Sequence, residues 1–280
     1  MNLLELEKRF STETKCREFL RKKRWPGGVA CPRCGTARPY FTKTLKRWEC
    51  RKCRYQFSLT SGTIFHRSRT PLRKWFIAIW LVCNSKKGVS AKQLERTLGV
   101  TYKTAWRMGM QIREAMKPGR GFEDKLAGVV EADDAYIGGK RSGGKRGRGA
   151  PGKEIVVGFI ERDGEARAVT VPDLKAETLS AVLDAIVSKD AELLCTDEHK
   201  GFRKAAEGYT HAAVCHAKTF VNGNVHTMGI ESFWSLFKRA IIGVYHRVSA
   251  KYLQAYLNEF VFRFNNRRNA EIFDAVLSNA

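Results

Sequence analysis

Two groups of residues in this 280-residue chain have the types and spacing to do chemistry. The first is acidic. Glu131, Asp133 and Asp134 crowd the end of the apolar run in "VVEADDAYIGGK", Asp197 and Glu198 close a later one in "AELLCTDE", and Glu231 sits in "HTMGIESFWSLFKRAIIG". Packed carboxylates repel one another unless positive charge lies between them. The chain as a whole carries 51 Lys and Arg against 28 Asp and Glu, a formal +23, so these acids stand out against a basic background. A pair of divalent cations resolves the repulsion. Two such ions clamp the attacking and leaving oxygens of an in-line phosphoryl displacement, and hard oxygen ligands select Mg²⁺ or Mn²⁺.

The second group is four of the eight cysteines, in "CPRCGTARPYFTKTLKRWECRKC". Cys31 and Cys34 form one CxxC knuckle, Cys50 and Cys53 the other. Each knuckle turns tightly enough to aim two thiolates at one tetrahedral Zn²⁺. The residues between them suit a short hairpin, with strand character in "YFTKT" and "RWEC". Disulfides or redox thiols are the alternatives, but no hydrophobic leader is visible in "MNLLELEKRFSTETKC", which favours a reducing cytoplasm. A segment with so little core of its own needs the metal to fold. Cys16, Cys83, Cys195 and Cys215 lack such spacing and read as small buried hydrophobes.

Composition sets the frame for both groups. With 43% apolar residues the chain can bury a core, which excludes global disorder. The charge excess indicates a polyanionic partner, foremost nucleic acid, with an acidic-membrane binder or a merely soluble basic protein as alternatives. The longest apolar run, "WFIAIWLVC", is too short for a membrane helix.

The elements that must position these residues follow from local signals. Residues 1–30 read as one basic helical lead-in, stopped by Pro26-Gly27-Gly28. Thr70-Pro71 reads as an N-cap followed by proline at the first helical position. Next, Ser90 caps a helix with Leu94 and Leu98 on one face, Gly99 breaks it, and Thr101 caps another with Ala105, Met108 and Ile112 inward. That is the outline of a helix-turn-helix, or of an ordinary helical hairpin. In the first case Thr101, Tyr102, Lys103, Thr104 and Arg107 face DNA.

From about residue 126 strands predominate, in the order βββ-α-β-α-β-α. The first two strands are separated by "GGKRSGGKRGRGAPGK", which predicts a surface loop. Its Lys140, Arg141, Lys145, Arg146 and Arg148 either grip phosphates or are simply solvated. Alternation puts Glu131 and Asp133 on one face of the first strand and Asp134 on the other. With the first and fourth strands side by side, Asp133 and Asp197 converge. Glu231 lies one residue off the stripe Ile230, Trp234, Phe237, Ile241 that seats its helix on the sheet, and Lys238 lies two turns further along. Glu131, Asp134 and Glu198 read as surface or helix-pairing charges, Glu131 being the one that shares Asp133's face.

With these residues in view, the chain resembles bacterial insertion-sequence transposases of the DDE class, which have an N-terminal zinc ribbon and a ribonuclease-H-like core. The likeness runs from about Cys31 to about Arg268, on "CPRCG", "ECRKCRYQFSLTSGTIFHRSRTPLRKW", "KTAWRM", "VEADDAYIGGK", "TDEHKGF" and "GIESFWSLFKR". It implies an α/β fold with a ribonuclease-H-like mixed sheet (βββαβαβα), preceded by a zinc ribbon and a helix-turn-helix segment. It implies Asp133, Asp197 and Glu231 as the metal-binding triad and Lys238 as a contact to the DNA end. One departure is Met228, where many relatives have Asn, so that Glu231 must suffice.

The expectation is a transposase that binds the terminal inverted repeats of its element, frees a 3′-OH and directs it at target DNA. Residues 1–62 are expected to form the zinc ribbon with its lead-in, 63–120 the DNA-binding segment and 121–280 the catalytic domain. Structural Zn²⁺, catalytic Mg²⁺ or Mn²⁺, double-stranded DNA as partner, a homodimer on DNA, no membrane and a nucleoid-associated cytoplasmic location complete it. The rivals are an RNA–DNA hybrid nuclease on the same core and a domesticated DNA-binding regulator.

Overall fold

The computed structural model describes residues 1–118, 124–138, 153–214 and 225–280. The chain forms two compact units, one of residues 1–85, 89–116 and 269–280 and the other of residues 86–88 and 117–268.

The first unit opens with α1 (Leu3–Arg9) and α2 (Glu13–Arg24). The lead-in is therefore two helices where the sequence suggested one. Thr12 starts the second by accepting from Lys15 N at 3.3 Å. At the break Phe10 turns into the core, its ring meeting Phe19, Phe76 and Phe273. The expected hairpin follows as β1 (Tyr40–Thr42) and β2 (Arg47–Glu49), with β3 (Gln56–Phe57) completing a three-stranded antiparallel sheet. Three helices follow: α3 (Leu72–Asn84), α4 (Ala91–Leu98) and α5 (Tyr102–Ala115).

The start of α3 departs from the sequence reading. Pro71 occupies the cap position itself, with no side-chain cap of its own. The carboxylate of Glu13 on α2 accepts from Leu72 N and Arg73 N at 3.1 and 3.2 Å instead. A two-oxygen anion satisfies two orphan donors and complements the helix dipole, which a threonine hydroxyl does less well. The next two helices start and stop as their sequences dictate. Ser90 accepts from Gln93 N, Thr101 accepts from Thr104 N, and Gly99 turns the chain at φ 57°. Leu94, Leu98, Ala105, Met108 and Ile112 are buried.

The second unit is a five-stranded sheet with helices on both faces. Its strands are β4 (Val129–Ile137), β5 (Glu154–Glu161), β6 (Ala166–Val171), β7 (Leu193–Asp197) and β8 (His211–Val214). Its helices are α6 (Ala176–Ile186), α7 (Lys200–Ala205), α8 (Met228–Ala240) and α9 (Ala250–Asn265), while α10 (Ile272–Ser278) belongs to the first unit. The order across the sheet is β6-β5-β4-β7-β8. The first three strands pair antiparallel, and β7 and β8 join parallel to β4 and to each other. This is the ribonuclease-H-like arrangement, with the first strand at its centre. Alternation along the strands divides the core in two. Ala135, Ile137, Val156 and Ile160 pack under α8 and α9, whereas Val130, Ala132, Val157 and Phe159 pack with Leu179 and Leu183 of α6 and Phe202 of α7.

Candidate active site and metal centre

Strands β4 and β7 run parallel in the register Glu131↔Cys195, so two residues further on Asp133 and Asp197 emerge side by side. Asp197 ends its strand and its Oδ1 accepts from His199 N at 3.0 Å, which fixes the carboxylate at the start of α7. Asp133, Asp134 and Asp197 each bring a carboxylate oxygen within 4.8 Å of the other two. Asp133 is pushed up to about 7, first by burial, then by the charges of Asp134 and Asp197, and less by Glu231. Three acids held so close with one of them out of water form a site built for positive charge.

Asp134 thus corrects the sequence reading, which assigned it a surface or helix-pairing role. Alternation assigns its side chain to the opposite face, but β7 pairs with β4 only as far as Glu131, and beyond that point a short carboxylate can reach the oxygens of Asp133 and Asp197. The doubled aspartate was the available signal. Glu198, by contrast, is exposed as expected. Glu231 lies in the first turn of α8, outside the tight trio yet near enough for its charge to raise Asp133. Thr227 Oγ1 donates to Glu231 Oε1 at 2.8 Å. Ile230, Trp234, Phe237 and Ile241 are buried against the sheet, as the stripe required. Lys238 is exposed on the same helix.

Glu131 is the second correction. It is not a surface charge: only 1% of it is exposed. Its Oε2 accepts from Gly229 N at 2.7 Å and Ile230 N at 3.1 Å, and its Oε1 accepts from Arg162 Nε at 2.9 Å. A buried carboxylate is tolerable when a guanidinium and a helix N-terminus share its charge. Nothing in the local sequence pairs Glu131 with Arg162, because the partnership depends on β5 returning beside β4.

In the first unit the four knuckle cysteines converge. Cys31, Cys34, Cys50 and Cys53 bring their sulfurs within 4.8 Å of one another, with 3.7 Å between Cys31 and Cys53 and 3.5 Å between Cys34 and Cys50. A tetrahedron with metal–sulfur bonds of about 2.3 Å has edges of about 3.8 Å, so the four sulfurs fit Zn²⁺. A hydrogen bond with Thr36 brings the Cys34 thiol down to about 6, which favours the ligating thiolate. Cys16, Cys83 and Cys195 are buried as expected, while Cys215 lies outside the described residues.

Of the residues assigned to DNA, Tyr102, Lys103 and Arg107 are exposed on α5. The hydroxyls of Thr101 and Thr104 bond each other at 3.0 Å as part of the cap. Arg107 Nη2 donates to His66 O at 3.3 Å. Lys140, Arg141, Lys145, Arg146 and Arg148 lie outside the described residues. No helix among the described residues is long and apolar enough to cross a membrane.

A ribonuclease-H-like sheet with acids gathered at its central strands, in a chain that also carries a zinc ribbon, is the layout of a DNA transposase. The chain belongs to the ISXO2-like transposase family, whose domain matches residues 125–265, and the transposase zinc-ribbon domain matches residues 11–56. It is a transposase of an insertion sequence. A protein of Halobacterium salinarum, described as an uncharacterized protein in transposable element ISH50, is 29% identical over 276 residues, covering 91% of this chain and 92% of that one. Among solved structures, a pre-cleavage Mos1 transpososome aligns with 72% of this chain and 76% of its own at 10% identity and a TM-score of 0.32. A Mos1 transposase paired-end complex with the left transposon end aligns with 73% and 78% at 12% identity and a TM-score of 0.29.

Proposed function

We propose that Asp133, Asp197 and Glu231 form a two-metal centre that cuts DNA at the element's ends and joins the freed strand to target DNA. The observation that carries this reading is the convergence of Asp133, Asp134 and Asp197 within 4.8 Å in a chain of net charge +23. The donor set is all carboxylate oxygen, which suits Mg²⁺ or Mn²⁺, with Asp134 available as a further oxygen ligand. Bound divalent ions supply the charge that steadies attacking and leaving oxygens at phosphorus.

The chain's own groups do the rest. Asp133, midway along β4, and Asp197, at the end of β7, would hold the ions from adjacent strands, and the His199 amide fixes Asp197's direction. Glu231 closes the site from α8, and Lys238 contacts a phosphate of the DNA end. Water first hydrolyses a phosphodiester and frees a 3′-OH. That hydroxyl then displaces the 3′ oxygen at a target phosphodiester, so no covalent protein–DNA intermediate is required. Residues 1–62 hold structural Zn²⁺, 63–120 read the inverted ends through Thr101, Tyr102, Lys103, Thr104 and Arg107, and the chemistry lies within 121–280, in the part up to Arg268 that belongs to the second unit. Lys140, Arg141, Lys145, Arg146 and Arg148 hold phosphates without regard to sequence. The working form is a homodimer on double-stranded DNA.

The test is a labelled element end incubated with Mn²⁺ and a second DNA, followed for nicking and joining. Wild type should do both, and the combined Asp133→Asn, Asp197→Asn, Glu231→Gln variant neither. Nicking by that variant would refute the site. Degradation of RNA–DNA hybrids without joining would favour a nuclease.

A further inference from the structure

We propose that Glu131 is a positioning residue that latches α8 to β4 and thereby sets Glu231 against Asp133. It rests on the reading of Glu231 as a metal ligand. Glu131 lies two residues before Asp133 on the same face of β4, and its Oε2 accepts from Gly229 N and Ile230 N, the two residues that precede Glu231. One buried carboxylate therefore joins the strand that carries one acid to the helix turn that carries the other.

The rest of the latch is built around it. Arg162 Nε donates to Glu131 Oε1, and Arg162 Nη2 donates to His226 O at 3.2 Å, tying down the residue just before the N-cap Thr227. His226 Nδ1 stands 3.1 Å from the same carboxylate oxygen. Gly229 permits the close approach, since a Cβ there would lie 2.9 Å from Glu131 Oε2. The N-terminal amides of α8 and the Arg162 guanidinium both bring positive charge against this carboxylate. Glutamine keeps the shape but loses the charge, and presents an NH₂ group where only an acceptor suits. Residues that orient metal ligands from behind commonly carry a roughly 10- to 100-fold effect on metal affinity.

The experiment measures Mn²⁺ binding to the full-length protein without DNA, by calorimetry, together with amide hydrogen exchange at residues 229 and 230. Glu131→Gln should weaken Mn²⁺ binding by roughly 10-fold or more and speed exchange at those two amides. The double variant Glu131→Gln, Glu231→Gln should bind no worse than the weaker single, because both changes remove the same contribution. Losses that multiply, or wild-type exchange at residues 229 and 230, would overturn the latch. If Glu131→Gln does not fold, Gly229→Ala decides, since the added methyl pushes the turn off the carboxylate. It should also weaken Mn²⁺ binding, and wild-type binding by it would equally count against the proposal. If Glu231→Gln binds Mn²⁺ like wild type, the ligand role of Glu231 fails instead, and exchange at the two amides still decides whether Glu131 holds the helix.

Discussion

Asp133 sits opposite Gly158 in the β4–β5 ladder, and the missing side chain at Gly158 is the seat of α8. A Cβ there would lie 2.5 Å from Trp234 Cζ2 and 2.9 Å from Ile230 Cδ1. The helix that brings Glu231 to the acids can rest on the sheet only because its neighbour strand has a glycine at this rung. Gly158→Ala should lower stability by about 1–3 kcal/mol through overpacking and lift α8 away from Asp133. Thermal melts and Mn²⁺ titration check this. A variant with wild-type melting and wild-type Mn²⁺ affinity would show that the helix has room to shift.

Each triad substitution should be severe. Asp133→Asn, Asp197→Asn and Glu231→Gln keep the side-chain shape and remove the charge, so nicking and joining should both fall by roughly 10²-fold or more. Binding to the element's ends should survive. Glu198→Gln, on an exposed residue, should be mild. Lys238→Ala should reduce activity while leaving Mn²⁺ binding intact, which separates a contact to DNA from a metal ligand.

The acid site should also leave a mark on stability against pH. Asp133 is pushed up to about 7 by burial and by its acidic neighbours, above its unfolded value of about 4. Between those values the folded state holds the extra proton. Its contribution to stability therefore falls as pH rises from about 4 to about 7. Mg²⁺ or Mn²⁺ replaces that proton, so the rise in melting temperature on adding either ion should grow across the same window. The gain should shrink in Asp133→Asn. An ion-induced gain independent of pH in wild type would contradict the proposed occupancy.

Zinc should be stoichiometric and structural. Metal analysis of the purified chain should find about one zinc per chain. Cys50→Ser should lose it and unfold the ribbon, visible as a change in the fluorescence of Trp25 and Trp48, whose rings meet at 5.5 Å beside this cluster. Protein grown with ample metal and still free of zinc would rule this out.

Sequence reading by α5 should separate from phosphate gripping. Arg107→Ala should weaken binding to the element's end far more than to random DNA, because base contacts specify and phosphate contacts position. Neutralising Lys140, Arg141, Lys145, Arg146 and Arg148 should weaken both equally and flatten the salt dependence by about 0.9 per lost phosphate contact. Salt titrations on both DNAs measure it. Equal losses on the two DNAs in Arg107→Ala would remove that residue from base reading.

Much of this protein is determined locally and is therefore legible in the sequence. The doubled CxxC fixed the ribbon, because knuckle spacing is a short-range property. Ser90, Gly99 and Thr101 set the ends of α4 and α5 through caps that involve neighbours only three residues away. Strand alternation and the apolar stripe of α8 foretold which faces meet, and hence that Asp133 and Asp197 converge. Tertiary structure decided what depends on partners distant in sequence. Glu131 became a buried latch only once β5 placed Arg162 beside it and α8 brought two amides to it. Asp134 joined the acids just beyond the stretch of β4 that β7 pairs with, and Glu13 replaced the expected cap of α3 from another helix. The common reason is that burial reverses the meaning of a charge. An acid reads as a surface residue until the fold removes its water, and only the fold supplies the guanidinium, the amides or the neighbouring acids that then define what it does.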